Sequence, residues 1–445
     1  MTFHTDTIEE LRRAHLKRLE AAYGDILAAQ DFDAALIYSG HANTHFADDQ
    51  EASFKSYGHF AHWTGASHHQ HDWLLIQPGC TPRWYYYAPA DFWHLPTPAP
   101  TGVLVETMAL QPLRDTGWPP REDFHVRRLA VIGDLEASSI PSGAELNPPA
   151  LLAALDELRM RKDDYERHCL FVANRRALTG HDAARDAFAM GASELDIQLA
   201  YLAATRQREF QVPYQNIIGI NHHAGTLHYQ HYDVAAPGTP KSLLVDAGHS
   251  HAGYAADITR TWASDRADPL FERLIQGVID YQQRLISRLA PGVDFVELHR
   301  EMHHRLAELL VETRLISISA EAAVESGLTR AFCPHGLGHS LGIQVHDVGG
   351  RQRDGQGTPL PPPAEDPALR LTRTLDAGMV VTIEPGLYVI PMLLEPFRQG
   401  DQRDAVDWAA IDRLQDHGGI RIEDNAIITA EGHDNLTQGK PIAED

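Results

Sequence analysis

The chain has 445 residues, 43% of them hydrophobic, enough for two or three cores and a globular protein of enzyme size. Its 38 basic against 61 acidic residues give a formal charge of -23, which repels nucleic acid and anionic membrane surfaces and leaves small molecules as the expected partners. Three scattered cysteines, Cys80, Cys169 and Cys333, argue against a disulfide framework or a thiolate zinc site and suit a reducing compartment. The start of the chain lacks a basic segment followed by an apolar run, and no apolar stretch is long enough to span a bilayer, so a cytoplasmic protein is expected.

Ile8, Leu11, Ala14, Leu19, Ala22 and Leu27 recur at helical spacing and predict a surface helix over 7–29. Short apolar runs at 34–38, 73–77, 83–88, 103–108 and 129–132, punctuated by Pro and Gly, predict strands. Together they describe a mixed α/β N-terminal domain over 1–161. Asn147 before Pro148 and Pro149 signals a helix start, with Leu151, Leu155 and Leu158 on one face. The boundary falls near Arg161, ahead of the charged Lys162, Asp163 and Asp164, and the second domain takes 162–445. That domain opens with helices as far as Arg208, and strands resume at 214–220, 242–247 and 255–263. Helices follow over 269–289 and 294–313, then strands over 379–384 and 420–429. Between them, 349–366 is rich in Gly, Pro and charge and reads as a long exposed loop, either a lid or a mobile ornament.

The informative feature is a set of acids and one histidine where inert strands carry apolar or neutral residues. Asp246 ends the apolar run Leu243, Leu244, Val245, and Asp257 shares a strand face with Ala255, Thr259 and Thr261 by period two. The intervening GHSHAGY is a turn, so the two strands pair and bring both carboxylates together. Glu384 ends a strand face with Val380 and Thr382, and Glu423 points away from the core face defined by Ile420 and Ile422. HGLGHSLGIQVHD, residues 335–347, uses its glycines for close turns that present His335, His339 and His346. Four carboxylates and a histidine suit two hard or borderline divalent cations, Mn, Co or Zn, in preference to a soft thiolate-bound metal. Two such ions roughly 3.5–4 Å apart can ionise a shared water while one polarises a carbonyl.

DAGHSHAGYAADITRTW (246–262), HGLGHSLGIQVHD (335–347), TIEPGLY (382–388) and RIEDN (421–425) resemble the metal-site signatures of the proline-peptidase branch of the pita-bread family. That family takes in prolidases, aminopeptidase P and, more distantly, methionine aminopeptidase and creatinase. The resemblance implies a C-terminal α+β domain of the pita-bread, creatinase/aminopeptidase-like fold behind the N-terminal α/β domain. It also implies two divalent ions per subunit, manganese foremost with cobalt or zinc as alternatives. Asp246 and Asp257 would serve the first ion, with Asp257 shared; His339 and Glu384 would serve the second, and Glu423 would bridge. The hydroxide between the ions is then the nucleophile, Glu384 the proton acceptor, and His346 the donor that stabilises the tetrahedral intermediate.

Two N-terminal stretches, HFADDQEASFKSYGHFAHWTG (45–65) and WYYYAPADFWH (84–94), resemble the bacterial prolidase and organophosphorus-acid anhydrolase group. This implies a dipeptidase for substrates with C-terminal proline, with phosphotriester hydrolysis as a side activity. LRLTRTL (369–375) matches a motif whose second arginine, Arg373, would hold the free carboxylate of that proline, a task suited to the bidentate guanidinium. His228, His335, Tyr214 and Arg421 are carried over as substrate-side residues, with Trp93 and Asp49 contributed across a homodimer. An aminopeptidase acting on longer peptides and a catalytically silent pita-bread binding module are the alternatives. The histidines at 68, 69 and 71 read as a solvated loop, His222-His223 as loop structure, and Cys333 as no nucleophile because no relay is implied.

Overall fold

The computed structural model describes residues 7–438 apart from positions 94, 96 and 125, so His94 of the aromatic N-terminal stretch lies outside it. The chain opens with helix α1 (Ile8–Ala29), fixed by a capping box in which the Thr7 hydroxyl accepts from the Glu10 N–H and the Glu10 carboxylate accepts from the Thr7 N–H. Its buried residues Leu16, Leu19, Tyr23 and Leu27 lie on one face of a mixed six-stranded sheet.

The strands of that sheet are β1 (Ala34–Tyr38), β2 (Trp73–Ile76), β3 (Arg83–Tyr87), β4 (Ala109–Leu113), β5 (Leu129–Ile132) and β6 (Glu145–Leu146), in the spatial order β4-β3-β2-β1-β5-β6. Helices α2 (Gly58–Thr64), α3 (Val103–Thr107) and α4 (Pro149–Met160) complete this half. Two expectations fail here. The run at 103–108 is helix α3, because its apolar residues Val103 and Leu104 enter the core consecutively while Val105 is exposed; the edge strand begins at Ala109 instead. Asn147 does not cap α4: it has a left-handed backbone (φ 47°) and its amide clamps both backbone groups of Gly133.

Asp163 starts the second half by capping α5 (Asp164–Ala189), which packs on α6 (Glu194–Thr205). The same carboxylate meets His15 at 2.7 Å and Arg18 at 2.9 Å, tying α1 to α5. Strands β7 (Ile217–Ile220), β8 (Ser242–Asp246), β9 (Ser250–His251), β10 (Tyr254–Ala255) and β11 (Thr259–Ala263) follow, with β8 central between β7 and β11. Helices α7 (Pro269–Ile286) and α8 (Phe295–Glu312) then form the base of the largest core, joined by α9 (Ala320–Glu325) and α10 (Leu328–Phe332). Leu298, Leu306 and Leu310 of α8 are each within 2% of full burial, worth about 1.5–3 kcal/mol apiece.

The chain closes with β12 (Val380–Ile383), β13 (Gly386–Tyr388), helices α11 (Pro391–Gln399) and α12 (Trp408–Leu414), and strands β14 (Gly419–Arg421), β15 (Asp424–Ile428) and β16 (His433–Asn435). β12 pairs with β15 and β13 with β14, and a single bridge between Thr259 and Glu423 stitches β11 to this group. Segment 349–366 folds back through a Gln352 to Pro359 bridge and is anchored to α4 by the Gln352 amide on the Ala153 carbonyl. Among the described residues no helix is long and apolar enough to cross a membrane.

Candidate metal centre

The expected continuous strands 255–263 and 420–429 are each broken, and Asp257 and Glu423 sit in the breaks. Antiparallel pairing of β8 with β11 sets Thr259 opposite Asp246, so Asp257 follows the end of β10 and lies beside the end of β8. Its backbone, freed from the ladder, is held by the Asn425 side chain, which accepts from the Asp257 N–H at 3.0 Å and donates to its carbonyl. Glu423 donates its N–H to the Thr259 carbonyl at 3.0 Å, and its carboxylate accepts from the Thr259 hydroxyl at 2.6 Å. Glu384 follows β12, its N–H on the Leu337 carbonyl at 2.8 Å.

His339 is aimed by two contacts. Its N–H donates to the Thr382 hydroxyl at 3.0 Å, and its Nδ1 donates to the Ser340 carbonyl at 3.0 Å. Nε2 is thereby turned to the carboxylates, 3.3 Å from Asp257 Oδ2 and 3.6 Å from Glu384 Oε1, where it can donate to them or bind an ion between them. Gly338 permits this approach, since a Cβ there would stand 2.0 Å from the Thr382 carbonyl oxygen. Ligand atoms of Asp257, His339 and Glu423 all fall within 4.8 Å of one another.

The charges do not balance within the protein. Burial pushes Asp246 upward, and Asp257 adds to it against the pull of Arg421. Burial raises Glu384 to about 7 against the pull of His339 and Arg421, with Asp257 and Asp246 adding to the rise. Glu423 is held well above the carboxylate range by burial and then by Asp257, Glu384 and Asp246. Only Asp257 is depressed: burial opposes it, but the His339 ring overrides, and His339 is raised in return. Carboxylates forced together in this way are relieved by protons or by cations. An oxygen-rich set with one imidazole fits divalent manganese, cobalt or zinc.

All five residues open onto one cavity of about 610 Å³, and Tyr214, His228, His335, His346 and Arg421 line it as well. Tyr214 donates to Asp246 Oδ1 at 2.7 Å, and Arg421 donates to Asp246 Oδ2 at 2.6 Å. Arg421 also donates to the Tyr388 hydroxyl at 2.7 Å, which must then donate onward to His335 Nε2 at 2.9 Å. His335 Nδ1 gives its proton to the Gly336 carbonyl at 2.8 Å, so one tautomer satisfies the chain of bonds. Burial and then Arg421 push His335 down to about 3. The His346 ring stands edge-on to His339 with centroids 4.4 Å apart, and partial burial and His339 push it to about 4.

Three expected residues lie elsewhere. Arg373 does not line the cavity: it is 5% exposed, donates to both oxygens of Glu157 at 2.8 and 3.1 Å, and borders a different groove with Asp294 and Thr372. The arginine that enters the cavity wall from the same motif is Arg370, exposed and without an ion-pair partner among the described residues. Trp93 is 78% exposed and lies against Phe92 with the rings tilted by 34°, and Asp49 is exposed and bonded to Gln50; neither reaches the cavity of its own chain. Tyr388, Thr259, Thr382 and Asn425, which organise the centre, had no signal beyond their places in the motifs.

Residues 168–430 match the model of metallopeptidase family M24, and residues 10–156 match that of the Xaa-Pro dipeptidase N-terminal domain. The chain belongs to metallopeptidase family M24 and carries the N-terminal domain of its Xaa-Pro dipeptidases. An Xaa-Pro dipeptidase of Marinobacter nauticus is 48% identical over 433 residues, covering 97% of this chain and 98% of that one. An Xaa-Pro dipeptidase of Erwinia tasmaniensis is 40% identical, covering 98% of this chain and all of its own, 100%. Among solved structures, zinc-substituted E. coli aminopeptidase P in complex with product shares the fold with a TM-score of 0.72, at 21% identity over 96% of this chain and 95% of that one. Proline aminopeptidase P II from Yersinia pestis does so equally, with a TM-score of 0.72 at 22% identity over 96% of each.

Proposed function

We propose that the chain is an Xaa-Pro dipeptidase, hydrolysing the bond to a C-terminal proline at a centre for two divalent ions, manganese in the first place. The observation that carries this reading is the convergence of four mutually repelling carboxylates and His339 Nε2 on one cavity of about 610 Å³. Asp246, Asp257, His339, Glu384 and Glu423 are the residues that would hold the ions. When bound, such a pair supplies an ionised water and polarises the scissile carbonyl.

The chain's own residues do the rest. Glu384, whose carboxylate lines the cavity, takes the proton as water attacks. His346 and His228, on the open side of the cavity, are the donors for the oxygen that gains charge in the tetrahedral state. Arg370 takes the role first assigned to Arg373 and captures the proline carboxylate, which only a two-residue substrate presents beside the scissile bond. Tyr214 and Arg421 hold Asp246 in place. The division at Arg161, a cytoplasmic location and a homodimer that brings Trp93 and Asp49 to the partner's cavity complete the proposal. Phosphotriester hydrolysis is a weaker side activity of the same centre, since a tetrahedral phosphorus resembles the peptide transition state.

The test is metal analysis coupled to proline release. Chelated protein should be inert and should regain Leu-Pro cleavage on adding manganese. Fewer than about one bound ion per chain with no turnover would favour a binding module over an enzyme.

A further inference from the structure

Helix α8 carries two histidines one turn apart, His299 and His303, each only 1% exposed. Neither lines the cavity described above. Nδ1 of His299 and Nδ1 of His303 lack a hydrogen-bond partner among the described residues, and His299 Nε2 has only a long, poorly aligned contact of 3.4 Å to Asp366 Oδ1. Buried polar atoms normally have one, and His299 Nε2 lies on the side of a buried histidine pair, ring centroids 4.8 Å apart, that faces a carboxylate, which points to a ligand between them. The cluster His15, His62 and Glu166 differs, because His15 spends both nitrogens on Asp163 and on the His62 carbonyl.

Asp366 faces the two rings from the loop that follows the Pro-rich segment. Its Oδ1 is 3.4 Å from His299 Nε2 and 3.9 Å from His303 Nε2, and one ligand atom from each residue lies within 4.8 Å of the others. Bonds of about 2.0–2.1 Å in a tetrahedral zinc site set neighbouring ligand atoms roughly 3.3–3.4 Å apart. One separation already has that length, and a small rotation of the His303 ring brings the other to it. Histidines at i and i+4 project from one helix face, as they do in helical zinc-binding pairs.

We propose that His299, His303 and Asp366 bind a further divalent ion of the zinc class, distinct from the carboxylate-rich centre. Arg330 donates to both Asp366 oxygens, at 2.7 and 3.0 Å, which fixes the carboxylate plane and leaves each oxygen a second lone pair. Its charge disfavours hard ions held by oxygen alone, so the affinity comes from the imidazoles and selects a borderline metal.

The site has a structural consequence for the substrate cavity. Pro367 and Ala368 line both that cavity and a smaller one of about 160 Å³ that contains His299 and Asp366. An ion bound there ties α8 to the loop that carries Arg370, and so fixes one wall of the larger cavity.

The experiment uses the full chain bearing Asp257→Ala and His339→Ala, stripped with chelator and loaded with zinc alone or cobalt(II) alone. After gel filtration it should retain one zinc per chain, and its cobalt form should show the intense visible band of four-coordinate cobalt. Adding His303→Gln should abolish both. If either of these chains does not fold, zinc content is compared between the wild type and Asp366→Asn. One equivalent fewer in the variant supports the site. Equal zinc content in that pair, or no zinc and no band in the folded double variant, overturns it.

Discussion

Arg421 Nη2 lies 2.6 Å from Asp246 Oδ2, and both side chains are largely buried beside three further carboxylates. This guanidinium is the only permanent cation hydrogen-bonded to the centre's carboxylates among the described residues, and it also fixes Tyr388 and, through it, His335. Arg421→Met therefore leaves Asp246 uncompensated in the chelated protein, a loss of about 3–5 kcal/mol for breaking a buried pair. In the manganese-loaded protein the loss should be much smaller, because bound cations compensate the same carboxylate. Urea unfolding with and without metal reads both; an equal loss in the two states would show that Arg421 does not balance the centre's charge.

Metal affinity should depend steeply on pH through Glu384. Its carboxyl is raised to about 7 in the cation-free chain, so below that pH it holds a proton that an incoming ion must displace. Manganese affinity should thus fall at least about tenfold for each pH unit below 7, with the raised carboxyls of Glu423 and Asp246 adding to the slope. Glu384→Gln removes this proton and should make the profile less steep, besides lowering kcat by about 10²–10⁴-fold. Calorimetric titration across pH 5.5–8.5 checks the slope, and a flat wild-type profile would remove Glu384 from the set of residues that hold metal.

Arg370 and Arg373 should separate binding from folding. Arg370→Ala removes a charged hydrogen bond to substrate and should raise KM for Leu-Pro about 10- to 150-fold, corresponding to roughly 1.5–3 kcal/mol. Arg373→Ala should leave KM within about threefold and cost about 1–3 kcal/mol of stability, since Glu157 loses one of its two arginine partners. Kinetics and thermal melting on both variants decide the matter, and the reverse pattern would restore Arg373 as the carboxylate anchor.

Much of this was legible in the sequence because the acids stand at strand ends, where period-two patterning makes a polar residue conspicuous. Asp246 and Glu384 are of this kind. Asp257 and Glu423 were legible as residues but not as geometry: both strands break around them, and the breaks depend on partners 168 and 164 positions away, Asn425 and Thr259. Local chemistry misled at 103–108, where Val and Leu suggested a strand although core packing selects a helical turn. It misled again at Asn147, whose amide is claimed by Gly133, fourteen residues earlier. The two arginines of LRLTRTL are indistinguishable by composition; only Glu157, 216 positions from Arg373, tells them apart.

The most direct measurement is a panel of Ala-Pro, Leu-Pro and the tripeptide Ala-Pro-Ala, offered to chelated protein reconstituted with manganese, cobalt or zinc. Dipeptidase action predicts free proline from both dipeptides with at least one of these metals and a kcat/KM for the tripeptide at least about a hundredfold lower, because its carboxylate cannot reach the arginine beside the scissile bond. Equal cleavage of the tripeptide, or no proline from any dipeptide with any metal, would contradict the account.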